Sequence, residues 1–203
     1  LSGYTVNDIY LAAFFRAIVR YFKGVDGKTP TEITSMLDLR RYLNGNDTEG
    51  FTNLTSYMPC KLTEGAGESF AETLERVKAA LKPHKENNLL GLAGLPLMAF
   101  AFQAFPFAIS QLAVKIGYTN PLVGMSNIGI IKSENIDLVD APAINAFMTG
   151  TVKYKPYMQV ACTTFKGVAT FTISERCSDK DLVLMKEFLE YMTGLIRDYG
   201  EEK

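Results

Sequence analysis

Two short polar groups interrupt otherwise apolar segments, and their residue types could support chemistry. Asp38-Leu39-Arg40 places a carboxylate and a guanidinium two positions apart. On a strand these side chains share a face, which predicts either an ion pair or two groups that contact a common partner. Ser126-Asn127-Ile128-Gly129 offers a hydroxyl and a carboxamide that can hydrogen-bond a substrate or a developing oxyanion. The alternative is that this polar pair satisfies neighbouring strand backbone or marks a bulge beside Gly129.

A general base is harder to identify. The one histidine, His84, lies in the polar sequence Lys82-Pro83-His84-Lys85-Glu86, and we interpret it as a solvated loop residue. A nucleophilic Ser126 would need a histidine and a Gly-x-Ser-x-Gly elbow, and the sequence around it has neither. The three cysteines fit no metal-ligand spacing, and we interpret them as reduced thiols: Cys60, Cys162 and Cys177. We therefore assign no catalytic residue and no metal site within this chain.

The composition is that of a folded globular domain. Of the 203 residues, 47% are hydrophobic and 21% are charged, and the net charge is −1. We expect a single domain over residues 1–203 with a sizeable core. The balanced charge argues against binding to nucleic acid. Leu1-Ser2-Gly3 has no signal-peptide pattern, and we expect a cytoplasmic protein. Because the sequence starts at Leu1 and not at a methionine, we expect the natural chain to extend upstream; a trimmed or proteolytic fragment would look the same.

Three amphipathic helices carry recognisable start signals. Thr5 with Asp8 predicts a capped helix that continues to Gly24. Ser69 with Glu72 forms a capping box, and the helix that follows is expected to stop at Pro83. Ser178 caps the last helix, for which the spacing predicts this buried stripe: Leu182, Met185, Leu189, Met192 and Ile196.

Strands are predicted between these helices. Ile33–Leu39 alternates apolar and polar residues, and Phe51–Tyr57 is rich in residues that favour strands. Lys166-Gly167 is a good two-residue turn between two strands of a hairpin. The other predicted strands are Leu122–Ile131, Ala143–Thr149, Tyr157–Phe165 and Val168–Ser174.

Leu89–Gly117 is the most apolar stretch of the chain. A membrane span needs about 20 apolar residues in a row, and Pro96, Gln103 and Pro106 interrupt this stretch. We therefore predict no transmembrane segment and favour a pair of buried or tunnel-lining helices. The phenylalanines could line an apolar ligand channel or form plain core: Phe100, Phe102, Phe105 and Phe107.

The order of these elements resembles the C-terminal lobe of the chloramphenicol acetyltransferase-like superfamily, which includes condensation domains, alcohol acetyltransferases and wax ester synthases. The residues that carry the resemblance cover nearly the whole chain: Thr5–Ala13, Asp38-Leu39-Arg40, Phe51–Ser56, Ser126–Gly129 and the hairpin Gln159–Ile173. The resemblance implies a layered α/β fold, with a mixed, largely antiparallel sheet flanked by helices.

The resemblance also implies a function and a missing part. In this superfamily His-His-x-x-x-Asp-Gly supplies the general base, and the chain lacks that sequence. We therefore expect a C-terminal half whose N-terminal lobe carries the motif, and which is inactive alone. The whole enzyme would transfer an acyl group from coenzyme A or a carrier-protein phosphopantetheine to an alcohol or amine. No cofactor would be bound covalently.

The resemblance assigns roles to single residues. Arg40, near Asp38, would pair with the motif aspartate of the other lobe. Ser126, Asn127 and Gly129 would lie on the substrate tunnel, and polar residues of the Phe51–Tyr57 strand would face it.

Two further expectations concern partners. A lone lobe exposes the apolar surface that faced its partner, which predicts self-association. The alternative function is a non-catalytic module of the same fold that binds an apolar ligand or a partner protein through Leu89–Gly117.

Overall fold

The computed structural model describes residues 3–22, 32–43, 54–63, 67–87, 92, 95–117, 121–138 and 140–201. Within these residues the α-helices are α1 (Val6–Tyr21), α2 (Phe70–Glu86), α3 (Leu95–Ala104), α4 (Phe107–Gly117) and α5 (Asp179–Glu201). Its strands are β1 (Glu32–Asp38), β2 (Thr55–Lys61), β3 (Val123–Ile131), β4 (Lys153–Tyr154), β5 (Met158–Phe165), β6 (Val168–Ile173) and β7 (Glu175–Arg176).

Local signals start the helices where the sequence predicts. Thr5 and Asp8 form a reciprocal capping box at α1, and Ser69 and Glu72 form one at α2. Each box satisfies backbone N–H groups that the first helical turn leaves unpaired. At the start of α5, the Ser178 hydroxyl donates to Asp181 at 2.8 Å. The three predicted helix starts are therefore confirmed.

The main sheet is mixed, as predicted. Its strand order is β2-β1-β3-β5-β6. The outer pairs, β1 with β2 and β5 with β6, are antiparallel, while β1–β3 and β3–β5 are parallel. The β5–β6 hairpin turns at Lys166 and Gly167, whose φ angles of 47° and 80° suit a tight turn that follows the twist of the strands.

The core lies between one face of this sheet and three helices. Helix α1 packs against both α2 and α5. The Phe14 ring of α1 meets Phe188 of α5 edge-on with centroids 5.9 Å apart, and Tyr10 meets Phe171 of β6 at 4.9 Å. These contacts make α1 the central helix of the layer, and its Phe14 side chain is fully buried.

Several predicted bounds were wrong. Strand β1 ends at Asp38, because the Asp38 carboxylate caps a short 3-10 helix, Leu39–Tyr42, by accepting from Arg40 N at 2.9 Å. Strand β2 covers Thr55–Lys61 and so continues beyond Tyr57; residues 51–53 lie outside the described part. Ala143–Thr149 forms no regular strand.

The helix ends also differ from the prediction. Helix α2 continues through Pro83 to Glu86, so His84 lies in its last turn and is half-buried, not in a loop. A proline near a helix end removes one hydrogen bond without ending the helix. Helix α1 ends at Tyr21, and Gly24 lies outside the described residues. On α5 the buried side chains are Phe188, Met192 and Tyr199, whereas Leu182, from the predicted buried stripe, is exposed.

The apolar stretch forms a helix pair, as predicted, but its side chains are exposed. The phenylalanines Phe100, Phe102, Phe105 and Phe107 are each 44–68% exposed, so the plain-core alternative was wrong, and the tunnel-lining alternative stays a prediction. Within the part of the chain that the structure describes, no helix is both long and apolar enough to cross a membrane.

Candidate functional site

Ser126 and Asn127 lie near the middle of β3, between β1 and β5. Neighbouring residues of a strand point to opposite faces of the sheet, so these two side chains do not share a surface. The parallel register pairs Ser126 with Ala161 and Asn127 with Cys162. Asn127 points to the face covered by the helices, and Ser126 points to the other face.

The Asn127 carboxamide joins β3 to the start of α1. Its Nδ2 donates to Asn7 Oδ1 at 2.9 Å, and its Oδ1 accepts from the Gly129 backbone N–H at 2.9 Å. The β3–β5 register shifts between Asn127 and Ile130, and Gly129 adopts a φ of 78°. Such a bulge favours glycine, because a positive φ is unfavourable for residues with a Cβ. Asn127 therefore holds a bulge in place and connects it to α1.

A second polar contact fixes the same end of α1. Asp8 is 1% exposed, and its Oδ1 accepts from Lys85 Nζ of α2 at 2.6 Å. Its Oδ2 accepts from Thr5 N at 2.8 Å. Burial acts to raise the pKa of Asp8, but the hydrogen bonds from Lys85 and Thr5 outweigh it, so the pKa lies below its usual value.

The face of the sheet opposite the helices is more polar. Strand alternation places Ser126 on it together with Thr34 of β1 and Thr163 of β5. Thr163 is buried and its hydroxyl accepts from the backbone N–H of Met148, so the segment around Met148 covers this face near β5. The Thr34 hydroxyl is also buried, and it has no hydrogen-bond partner among the described residues. Ser126 is half-buried between these two strands.

Asp38 and Arg40 lie outside the core. Their side chains are 65% and 38% exposed, and Asp38 Oδ1 lies 3.4 Å from Arg40 Nη1. An exposed pair of this kind contributes about 0–1 kcal/mol to stability. Because Asp38 ends β1, the two side chains do not project from one strand face as predicted; the carboxylate caps the turn that carries Arg40.

The other residues capable of chemistry are dispersed. None of the three cysteines is in a disulfide, and burial raises the pKa of the Cys60 thiol to about 12 and that of Cys162 to about 11. Both thiols therefore stay protonated at neutral pH and are poor nucleophiles. No cluster of histidine, cysteine and acidic residues in the described part of the chain could hold a metal ion.

The sequence pointed to β3 but not to its partners. Asn7 lies 120 positions before Asn127, and no periodicity links them. Asp8 was recognised only as a helix cap, although its contact with Lys85 is 77 positions away in sequence. The one signal in the sequence was an acid within an otherwise apolar helix, because such an acid needs a partner if the helix is buried.

The fold is that of condensation domains and acyltransferases. The chain matches the epimerization domain from the third module of tyrocidine synthetase B with a TM-score of 0.59 and 14% identity, over 97% of this chain and 43% of that one. It matches the trichothecene 15-O-acetyltransferase TRI3 from Fusarium sporotrichioides with a TM-score of 0.60 and 16% identity, over 96% and 41%. It matches polyketide synthase associated protein 5 from Mycobacterium tuberculosis with a TM-score of 0.56 and 16% identity, over 95% of this chain and 45% of that one.

These comparisons confirm the resemblance to the chloramphenicol acetyltransferase-like superfamily at the level of fold. The chain spans less than half the length of each of these proteins and corresponds to one lobe. No family model matches the sequence. A segment of 44 residues is 46% identical to the Gabija protein GajB of Bacillus cereus (strain HuB5-5), but it covers 22% of this chain and 6% of that protein and shows no family.

Proposed function

We propose that this chain is the C-terminal lobe of an enzyme that transfers an acyl group from coenzyme A or a carrier protein to an alcohol or amine. The observation that carries the proposal is the coverage of the structural match. The match covers 96% of this chain but only 41% of an O-acetyltransferase. A lobe of that extent, without His-His-x-x-x-Asp-Gly, fits an enzyme whose general base lies in the other lobe.

In this proposal the described chain supplies structure and polar groups, not the base. Ser126, on the sheet face opposite the helices, would hydrogen-bond a substrate. Asn127 and Gly129 act as positioning residues, because their hydrogen bond shapes the β3 bulge. Arg40 is exposed enough to bind a carboxylate of the other lobe in addition to its contact with Asp38.

The test measures thiol release from acetyl-coenzyme A in the presence of an alcohol or amine, with this chain alone and with the chain joined to its upstream lobe. We expect no turnover from the chain alone and turnover from the joined protein. Replacing the second motif histidine should abolish that turnover. His84→Ala is the matched control and should leave the rate unchanged. Turnover by the chain alone that is lost on changing Ser126 or His84 would overturn the proposal.

The alternative function is a non-catalytic module with the same fold. The observation that favours it is the exposure of the apolar side chains on α3 and α4, since large exposed apolar patches mark interaction sites. An upstream lobe that lacks the histidine motif, and a joined protein without acyl transfer, would support this alternative.

A further inference from the structure

Helices α3 and α4 form a hairpin (residues 95–117) with exposed apolar side chains on opposite sides of each helix, and its exposed polar side chains include Gln103, Gln111 and Lys115. Eight large side chains on it are 42–74% exposed: Met98, Phe100, Phe102, Phe105, Phe107, Ile109, Leu112 and Ile116. With about 3.6 residues per turn, Phe100 and Phe102 lie about 160° apart around α3, and Phe107 and Ile116 lie on opposite sides of α4. A helix that docks on a protein groove presents one apolar face, so apolar side chains on opposite sides of each helix favour surroundings that are apolar on more than one side.

Several polar groups near the turn of this hairpin are paired within the hairpin itself. Phe105 N donates to Ala101 O at 3.1 Å, Ser110 N donates to Pro106 O at 3.2 Å, and Pro106 has no N–H to satisfy. The Ser110 hydroxyl, 1% exposed, donates to Ala101 O at 2.7 Å and joins the two helices. Lipid hydrocarbon offers no hydrogen bonds, so a segment that enters it must satisfy its backbone internally.

The position of the charged residue Lys115 limits how deeply the hairpin could enter a lipid bilayer. Helix α3 has no charged residue, and α4 has only Lys115, in its last turn. Lys115 is eight positions after Phe107, which is about 12 Å along a helix at about 1.5 Å per residue. Half of the hydrocarbon layer of a bilayer is about 15 Å thick. With Phe107 near mid-bilayer, Lys115 would therefore reach the head groups, where lysine is favoured.

We propose that the α3–α4 hairpin inserts into one leaflet of a lipid bilayer and attaches the protein to a membrane surface. The Phe105-Pro106-Phe107 turn enters the hydrocarbon, and Lys115 stays at the head groups. The inference is independent of acyl transfer, because it depends only on the hairpin. The net charge of −1 gives no general attraction to anionic lipid. The hairpin should therefore bind neutral phosphatidylcholine, with little effect of salt.

The chain contains no tryptophan, so a single introduced tryptophan reports on its own position. In Phe107→Trp, we expect emission to shift to shorter wavelength on adding phosphatidylcholine vesicles, and to be quenched by lipids brominated on the acyl chain. The matched control is Ile144→Trp, at a side chain that is 93% exposed and lies outside the hairpin. Its emission should not move with vesicles.

A second pair of variants measures binding itself. Phe105→Asp/Phe107→Asp should lower the vesicle partition coefficient at least about tenfold, because aspartate is strongly unfavourable in hydrocarbon. Ile144→Asp should leave that coefficient unchanged. Both positions are exposed, so equal thermal midpoints should confirm that the variants remain folded.

Three results would overturn the proposal. One is a Phe107→Trp emission that vesicles do not shift. Another is a Phe105→Asp/Phe107→Asp variant that binds vesicles as well as the parent does. The third is a Phe107→Trp emission that shifts at higher protein concentration or on adding an upstream lobe, but not on adding vesicles. That result would identify the hairpin as a protein interface.

Discussion

Helix α1 and the α3–α4 hairpin are both apolar in sequence, yet they have opposite environments. Most residues of α1 are buried, including Leu11, Phe14 and Ile18 at 0% exposure. Of the described hairpin side chains, only Ser110 is buried. Apolar content therefore does not decide burial in this protein, because the outcome depends on which surface each helix meets.

The difference has a physical origin in the neighbours of each helix. Helix α1 is held at its start by Asn7–Asn127 and Asp8–Lys85, which join it to β3 and α2. Its alanines, such as Ala13 and Ala17, allow close approach and are fully buried. The hairpin helices pack mainly on each other, so each leaves most of its surface for another partner.

The strongest test of this contrast is a pair of phenylalanine truncations. Phe14→Ala should lower the free energy of unfolding by about 3–5 kcal/mol, because it leaves a cavity beside Phe188. Phe107→Ala, at 68% exposure, should change it by less than about 0.5 kcal/mol. Urea denaturation of both variants measures the difference. Equal losses would mean that the hairpin is part of the core.

Asp8→Asn tests how α1 is anchored. The change removes the acid that pairs with Lys85 and completes the cap with Thr5, and should cost about 1–3 kcal/mol at neutral pH. Because the folded pKa of Asp8 lies below its usual value, the parent gains stability from this group above the unfolded pKa of about 3.9. That contribution disappears as pH falls through the lower folded pKa.

The measurement for Asp8 is denaturation of parent and variant from pH 7 to pH 2. The two curves should converge towards the acid end of that range. A stability difference that stays constant as pH falls would show that the carboxylate charge is not what holds α1 to α2.

Ser110→Ala gives the smallest expected effect and isolates the hairpin. Loss of the hydroxyl bond to Ala101 O should weaken the α3–α4 pairing by about 1 kcal/mol, which is about fivefold faster amide exchange in those helices. Hydrogen exchange in α1 of the same variant is the control and should not change. Faster exchange in α1 as well as in the hairpin would instead indicate that the hairpin and core unfold together.

The sequence predicted those features that depend on a few neighbouring residues. Residue types predict the helix caps at Thr5 and Ser69 and the tight turn at Lys166-Gly167, and the structure confirms all of them. The bounds were less accurate where local signals compete. The sequence predicts a strand to Leu39, but the strand ends one residue earlier, because the Asp38 carboxylate caps the turn that Leu39 begins. The prediction that α2 stops at Pro83 was wrong, because the helix continues to Glu86.

The candidate site was only half predictable. The sequence identifies Ser126 and Asn127 as polar residues within a strand, and a bulge beside Gly129 is one of the two interpretations that it allows. The hydrogen bond to Gly129 N accounts for Asn127, whereas the role of Ser126 remains part of the proposed function. Asn7 was not identified, because the contact joins residues far apart in sequence.

The sequence by itself determined the positions of helices, the hairpin turn and the helix caps, because backbone hydrogen bonds and steric preferences act over a few residues. Only the tertiary structure decided that β1 and β5 flank β3, that Asn127 contacts Asn7, and that α1 is buried while the hairpin is exposed. Burial depends on which surfaces meet, and an apolar helix can be buried by a sheet, another chain or lipid. Its own residues do not distinguish among these until the fold shows which surfaces are already occupied.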